Sequence, residues 1–220
     1  MSDNAWDARA ERYRTSVTHA TGEDLDAVVE LCNPHEGVKI LDVATGGGHV
    51  ARRLREHGAE VVTTDASPGM QPDVVCRAED LPFADGSFDV VVSRIAAHHF
   101  DDIGMAIGEM ARVSNRVVVI EDMLFRTEQE QEAEKLRDPT HVRSLSPEEW
   151  RELLQSAALE IEQELYFSKE HDMEEWLART DCTGDEAARV RELLAPYYTN
   201  DDGSAWANDY IVVKARKSQT

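Results

Sequence analysis

Asp42 lies four residues before Gly46 in the run Val38-Lys39-Ile40-Leu41-Asp42-Val43-Ala44-Thr45-Gly46-Gly47-Gly48-His49-Val50-Ala51, where an apolar stretch breaks into three glycines. Glycines let backbone approach a ligand, and the helix-like pattern that follows would offer unpaired N–H groups, so the turn suits a nucleotide-like molecule. Three further groups are chemically capable: His98-His99, Glu121-Asp122, and Asp138-Pro139-Thr140-His141-Val142-Arg143. A histidine can take a proton from a phenol, enol or amine while a carboxylate sets its tautomer, and Arg143 suits an anionic acceptor. The plainer roles are capping or packing for the His pair and a turn for Asp-Pro-Thr-His. Imidazoles and carboxylates are also metal ligands, but these spacings match no metal motif, so no metal is expected.

Two ligands compete for the glycine turn. Gly46-x-Gly48-x-x-Ala51, with Asp65 at a distance that suits a ribose, fits a dinucleotide fingerprint. Asp42 argues against it, because a carboxylate beside a diphosphate is repelled and beside an ammonium is attracted. S-adenosylmethionine carries an ammonium, a carboxylate and a sulfonium where a dinucleotide carries phosphates, and Asp42 favours it.

The elements that must position these residues follow from periodicity. Trp6, Ala10 and Tyr13 recur at helical spacing, and a second helix is predicted over Glu23 to Cys32, with Thr21 as its cap. Val38 to Val43 reads as a buried strand, Gly48 to His57 as a helix closed by Gly58, and Glu60 to Thr64 as a strand ending on Asp65. Only Ala66 to Asp73 then precedes the apolar Val74-Val75-Cys76, whereas a parallel crossover usually takes at least about 10 to 12 residues. The helix there is predicted to be missing or one turn long. Strands are predicted at Phe88 to Ser93, Val117 to Ile120, Ile161 to Phe167 and Tyr210 to Ala215. Helices are predicted at Asp101 to Val113, Glu128 to Arg137 (a helix or a mobile lid), Ser146 to Ala158, Met173 to Thr180 and Asp185 to Leu194.

Leu41-Asp42-Val43-Ala44-Thr45-Gly46-Gly47-Gly48-His49 resembles the first motif of class I S-adenosylmethionine-dependent methyltransferases, and Asp65-Ala66-Ser67-Pro68-Gly69-Met70 resembles the second. Ala78-Glu79-Asp80-Leu81-Pro82-Phe83 with Asp85-Gly86-Ser87-Phe88-Asp89-Val90-Val91 is similar to the third and fourth. The resemblance is strongest to the small-molecule branch that includes the ubiquinone/menaquinone biosynthesis C-methyltransferases. It extends through Trp6 to Tyr13, Asp138 to Arg143 and Ser146 to Leu159. It implies an α/β, Rossmann-like seven-stranded sheet in order 3-2-1-4-5-7-6 with strand 7 antiparallel. The ligand would then lie over the carboxyl ends of strands 1 and 2 and the acceptor over strands 4 and 5.

Carried over by motif, Ala44, Thr45, Gly46 and Gly48 hold the amino-acid end of the cofactor, and Asp42 lies near its ammonium. Asp65 takes the ribose hydroxyls, Ala66 and Met70 flank the adenine, and Glu79 or Asp80 meets its amino edge. The Arg94 backbone closes the methionine side and Tyr13 caps the pocket. His98, His99, Asp138, His141 and Arg143 are the expected catalytic or acceptor-binding residues. The resemblance implies methyl transfer to a small molecule, carbon favoured, with S-adenosylhomocysteine as product. The alternatives are a non-catalytic S-adenosylmethionine-binding or regulatory protein and, further off, an NAD-dependent oxidoreductase.

At 220 residues the chain suits one domain, 1-220, with residues 1-35 forming part of a cap, 123-145 a lid segment and 170-200 a helical insertion between the last strands. It has no run of about 18 apolar residues and no signal-peptide pattern at the N-terminus, so membrane insertion is not expected and a cytoplasmic location is. The 44 acidic against 23 basic residues, net charge −21, would repel phosphate backbones, which argues against nucleic acid as substrate or partner. Acids spread along helical faces, with Arg favoured over Lys, resemble proteins of salt-loving organisms, where salt screens self-repulsion. Cys32, Cys76 and Cys182 show no metal or disulfide spacing and are expected to be buried or idle. A monomer or homodimer is expected.

Overall fold

The computed structural model describes residues 4–15 and 20–218; residues 16–19, inside the predicted cap of 1-35, and the extreme termini lie outside the described residues. Strands β1 (Lys39–Val43), β2 (Glu60–Asp65), β3 (Val74–Val75), β4 (Phe88–Arg94), β5 (Ser114–Met123), β6 (Leu159–Asp172) and β7 (Ala205–Lys217) form one sheet in the order β3-β2-β1-β4-β5-β7-β6. Neighbours from β3 to β5 are parallel, and β7 is antiparallel to both β5 and β6. This is the expected order. The order reverses between β1 and β4, which opens a crevice beyond their carboxyl ends.

Both faces of the central strands are covered, which is why β1, β4 and β5 are near-continuous apolar runs. Alternate residues part to opposite sides. Leu41, Val91 and Val118 pack under helices α4 (Ile103–Val113) and α6 (Pro147–Ser156). Ile40, Val90, Val92 and Val119 pack under α2 (Glu23–Cys32) and α3 (His49–Glu56). Each such fully buried Leu or Ile contributes about 1.5–3 kcal/mol. A third cluster joins α5 (Glu128–Arg137), α7 (Met173–Ala178) and α8 (Gly184–Leu194) through Ala133, Trp176, Val190, Leu194 and Trp206. It stacks a helical layer beside the crevice. The acidic Glu128–Arg137 segment is thus a packed helix, with Glu130, Glu134 and Arg137 buried. Helix α1 (Asn4–Thr15) packs on the Pro68–Met70 turn after β2, and its Trp6 and Tyr13 line the cavity.

Several boundaries differ from expectation. Thr21 does not cap α2: Gly22, at φ 136°, occupies the N-cap, a backbone angle that excludes Thr. Strand β5 extends to Met123, so Glu121 and Asp122, expected just past the strand, are buried within it opposite Val212 and Ile211 of β7. Strands β6 and β7 are likewise longer, because they pair with each other along Leu159–Asp172. The interval after β2 holds a single 3₁₀ turn, Pro68–Met70. Ser146 and Glu149 form the reciprocal capping box of α6, as the sequence pattern predicts. All three cysteines are unpaired; Cys32 and Cys182 are buried and Cys76 is half-buried.

Candidate active site

The turn after β1 is held by its own strand neighbours. Ala44 (φ 55°), Gly46 (φ 52°) and Gly48 (φ 71°) adopt left-handed backbone, and the Thr45 N–H donates to the Thr64 carbonyl at 2.9 Å. Asp65 at the end of β2 accepts from Gly46 N and from Ser67 N, both at 2.9 Å, and so ties the glycine turn to the loop after β2. Asp42 is 2 % exposed and accepts from the Thr45 hydroxyl at 2.6 Å. Burial pushes the Asp42 carboxyl up to about 7, against the lowering effect of Thr45, and burial also raises Asp65. Gly47 is the sterically demanded glycine. A Cβ there would stand 2.5 Å from the Tyr13 carbonyl and 2.8 Å from His49 Nε2.

That contact belongs to α1, which covers the side left open by the short loop after β2. Asp7 Oδ1 accepts from Ser67 Oγ at 2.5 Å and from Gly69 N at 2.7 Å, so it caps the Pro68–Met70 turn from another helix. Arg14 donates to the Gly69 carbonyl at 2.7 Å, and His49 Nε2 lies 2.9 Å from the Tyr13 carbonyl. Ala66, Met70 and Glu79 line the cavity. Asp80 does not; it is exposed on the far side of its turn. Glu79 Oε1 accepts from Asp101 N at 2.9 Å, which fixes it across the cavity rim. Gly48 caps α3 and lies outside the main cavity.

Arg94 pairs with Glu121 in the β4–β5 register, and its side chain extends the pairing, with Nε 2.6 Å from Glu121. Asp24 of α2 bonds both Arg94 and Lys169, and Lys169 Nζ reaches Glu121 at 3.0 Å. Two cations and two carboxylates thus form one network, of which Arg94 and Lys169 line the cavity. Burial would raise Asp24, but Arg94 and Lys169 hold it down at about 2, while burial pushes Glu121 up. Ile95, at φ 52°, follows and also lines the cavity.

Beyond β4 and β5 lie the histidines. His98 Nδ1 is 2.6 Å from Asp122 Oδ1, and the His98 N–H donates to Oδ2 at 2.7 Å. Burial opposes the imidazolium, but Asp122 outweighs it and raises His98 above 6.5. The His99 Nδ1 lies 3.1 Å from the Thr140 carbonyl, and burial with the His98 charge drives His99 down to about 3. Trp6 packs edge-on against His99 at 4.7 Å and against Tyr13 at 5.6 Å. Asp138 binds Arg9 of α1 at 3.0 Å and Thr140 Oγ1 at 2.7 Å. His98, His99, Asp138 and Tyr13 all line the cavity.

Two of the expected catalytic residues are also placed elsewhere. His141 is buried behind His98, ring to ring at 5.3 Å, with Nε2 3.2 Å from Gln131 Oε1. Arg143 turns outward, more than half exposed, and pairs with Glu149 of α6. The cavity wall instead carries Arg137, Lys169, His171, Trp176, Arg179 and Tyr210, none of which the sequence reading singled out. The one usable signal was the alternation of Phe167, Lys169 and His171 along a single face of β6. Among the described residues no group of three or more His, Cys, Asp and Glu side chains is arranged to hold a metal ion.

A buried carboxylate at the glycine turn and a second at the end of β2 make that end of the cavity unfavourable to a diphosphate. A family model described as "Methyltransferase domain" matches residues 41–116. The chain is 31% identical to the uncharacterized protein YafE of Escherichia coli over 186 residues, covering 77% of this chain and 90% of YafE. It is 27% identical to the uncharacterized methyltransferase YcgJ of Bacillus subtilis over 212 residues, 86% of this chain and 83% of that one. The crystal structure of YcgJ matches with a TM-score of 0.79, over 89% of this chain and 98% of that one, at 23% identity. Over 112 residues the chain is 38% identical to the demethylmenaquinone methyltransferase of Thermus thermophilus, covering 42% of this chain and 51% of the relative. Fold, cavity and kinship agree, and the chain belongs to the class I S-adenosylmethionine-dependent methyltransferases, with relatives in the menaquinone branch.

Proposed function

We propose that the chain moves a methyl group from S-adenosylmethionine to a small-molecule acceptor, with carbon favoured by its likeness to a demethylmenaquinone methyltransferase. The observation that carries this reading is that one cavity is lined both by Asp42 with the glycine turn and by His98, whose ring is held from behind by Asp122. When bound, S-adenosylmethionine supplies an electrophilic methyl on a sulfonium. Asp42 would face the ammonium, Ala44, Thr45 and Gly46 would hold the amino-acid end, with Gly48 outside the main cavity and serving to start α3, and Asp65 would serve the ribose. Ala66, Met70 and Glu79 serve the adenine, while the Arg94 backbone and Tyr13 close the methionine side.

His98 takes the acceptor proton on Nε2, since Nδ1 faces Asp122, which orients the ring and steadies the imidazolium. His99, kept neutral by burial, and Asp138 line the acceptor end. Residues 123-145 and 170-200 complete the cap within one domain, and α1 excludes water from above. No helix among the described residues is long and apolar enough to cross a membrane. We read the protein as cytoplasmic and as a monomer or homodimer.

Calorimetry with S-adenosylhomocysteine and NAD, followed by methyl transfer to phenol, enol and amine acceptors, tests the reading. Tight binding of S-adenosylhomocysteine alone with turnover is expected. Binding without turnover on any acceptor makes the chain a non-catalytic binder, and preference for NAD overturns the cofactor.

A further inference from the structure

Among the described residues, the cavity wall holds one cation, Arg179, that none of the ion pairs around it takes up. Arg9 pairs with Asp138 and Arg137 with Glu134, while Arg94 and Lys169 share Asp24 and Glu121. Arg179, which follows α7, lines the same cavity. Its Nε is enclosed with no hydrogen-bond partner, and among the described residues its guanidinium forms no ion pair. Burial and the neighbouring Arg137 charge hold it below its ordinary range. Arg179 is half-buried with its Nε enclosed, and a guanidinium held in this way loses solvation that a ligand anion would offset.

Arg137 stands ready to share that anion. It stacks over Trp176 at 4.1 Å, spends Nε on the Trp176 carbonyl at 3.2 Å and one terminal nitrogen on Glu134 at 3.3 Å. Both arginines belong to the helical layer that joins β7 through Trp206. The glycine turn lies at β1, with β4 and β5 between it and β7, so the amino-acid end of the cofactor has its own partners. We propose that Arg137 and Arg179 form an anion subsite, and that the acceptor is a small molecule whose single carboxylate is anchored there while another of its atoms receives the methyl group. Its second half rests on the methyl-transfer reading above. Because Glu134 already balances Arg137, one positive charge remains, which suits a carboxylate over a phosphate dianion, and the planar guanidinium matches carboxylate geometry.

The test is a thermal-shift titration of the full chain, with and without saturating S-adenosylhomocysteine, using benzoate, benzamide, hexanoate, hexanamide and phenyl phosphate. The acids are expected to stabilise the protein and the amides not. Arg179→Met is expected to weaken apparent acid affinity by about 30-fold or more, Arg179→Lys to retain part of it, and Arg143→Met to leave it unchanged. S-adenosylhomocysteine affinity is expected to be the same in all four proteins. Equal response to acids and amides, acid binding that survives Arg179→Met, or preference for phenyl phosphate overturns the proposal. A parallel loss of S-adenosylhomocysteine affinity in Arg179→Met also overturns it, by giving the arginine to the cofactor. Acid-selective binding that depends on Arg179, in a chain that does not bind S-adenosylhomocysteine, upholds the anion subsite while defeating the methyl-transfer reading.

Discussion

The His98 ring and the Asp122 carboxylate meet at 2.6 Å where β4 and β5 end, with the same carboxylate also accepting the His98 backbone N–H at 2.7 Å. The ring must be neutral to accept a proton, and Asp122 raises its titration above 6.5. We expect kcat/KM to climb with pH through an apparent value above 6.5. His98→Asn should cut kcat by about a hundred- to ten-thousandfold without changing S-adenosylhomocysteine affinity, and Asp122→Asn should move the titration down. The raised value also favours folding below pH 6.5, a contribution lost as pH rises through the folded-state value. Unchanged pH profiles in both variants would remove His98 from the chemistry.

Asp42 titrates near 7 because it is buried, and a ligand ammonium beside it would lower that value. Binding of S-adenosylhomocysteine near neutrality should therefore release a proton, and affinity should rise from pH 6 to 8. Calorimetry in two buffers of different ionisation enthalpy measures the proton count. Asp42→Asn should bind weakly and release none. The free chain loses stability as pH rises from 3.8 towards 7, since folding favours protonated Asp42 there. The Asn variant should be the flatter of the two.

Asp7 holds the Pro68–Met70 turn through Ser67 and Gly69. Asp7→Ala should loosen α1 from that turn and weaken S-adenosylhomocysteine binding several-fold. Gly69→Val should do more, because its Cβ would lie 2.7–2.8 Å from Asp7 atoms. Faster amide exchange across residues 4–15 in both variants is the check; unchanged exchange would mean α1 does not depend on this contact.

Lys169→Met removes one cation from the enclosed Asp24–Arg94–Glu121–Lys169 cluster and should cost about 3–5 kcal/mol in denaturant unfolding. Adding Asp24→Asn to it should recover part of the loss, since one carboxylate and one cation are then removed together. Additive losses would show that the four charges do not act as a unit.

With a net charge of −21, the folded chain should gain thermal stability between low and molar potassium chloride as self-repulsion is screened. Equal melting temperatures at both salt levels would show that the acidic surface is no adaptation to salt.

Much of this protein was determined locally. The glycine turn, Asp42 and Asp65 sit within a few residues of the strands that carry them, and buried parallel strands announce themselves as apolar runs, so the strand–turn–helix unit and its two carboxylates were legible from Val38 to Asp65. The one-turn link after β2 followed from chain length and two prolines alone. Tertiary structure decided what faces these residues. Asp7 reaches Ser67 across 60 positions, Lys169 reaches Asp24 across 145, and Arg9 reaches Asp138 across 129. Such pairs leave no periodic trace. Whether an arginine lines the cavity or pairs at the surface depends on how its helix packs, and that packing turned Arg143 outward to Glu149 and left Arg179 against the cavity with no ion pair among the described residues. Spacing set the residues near in sequence; burial and strand register chose the partners of the rest.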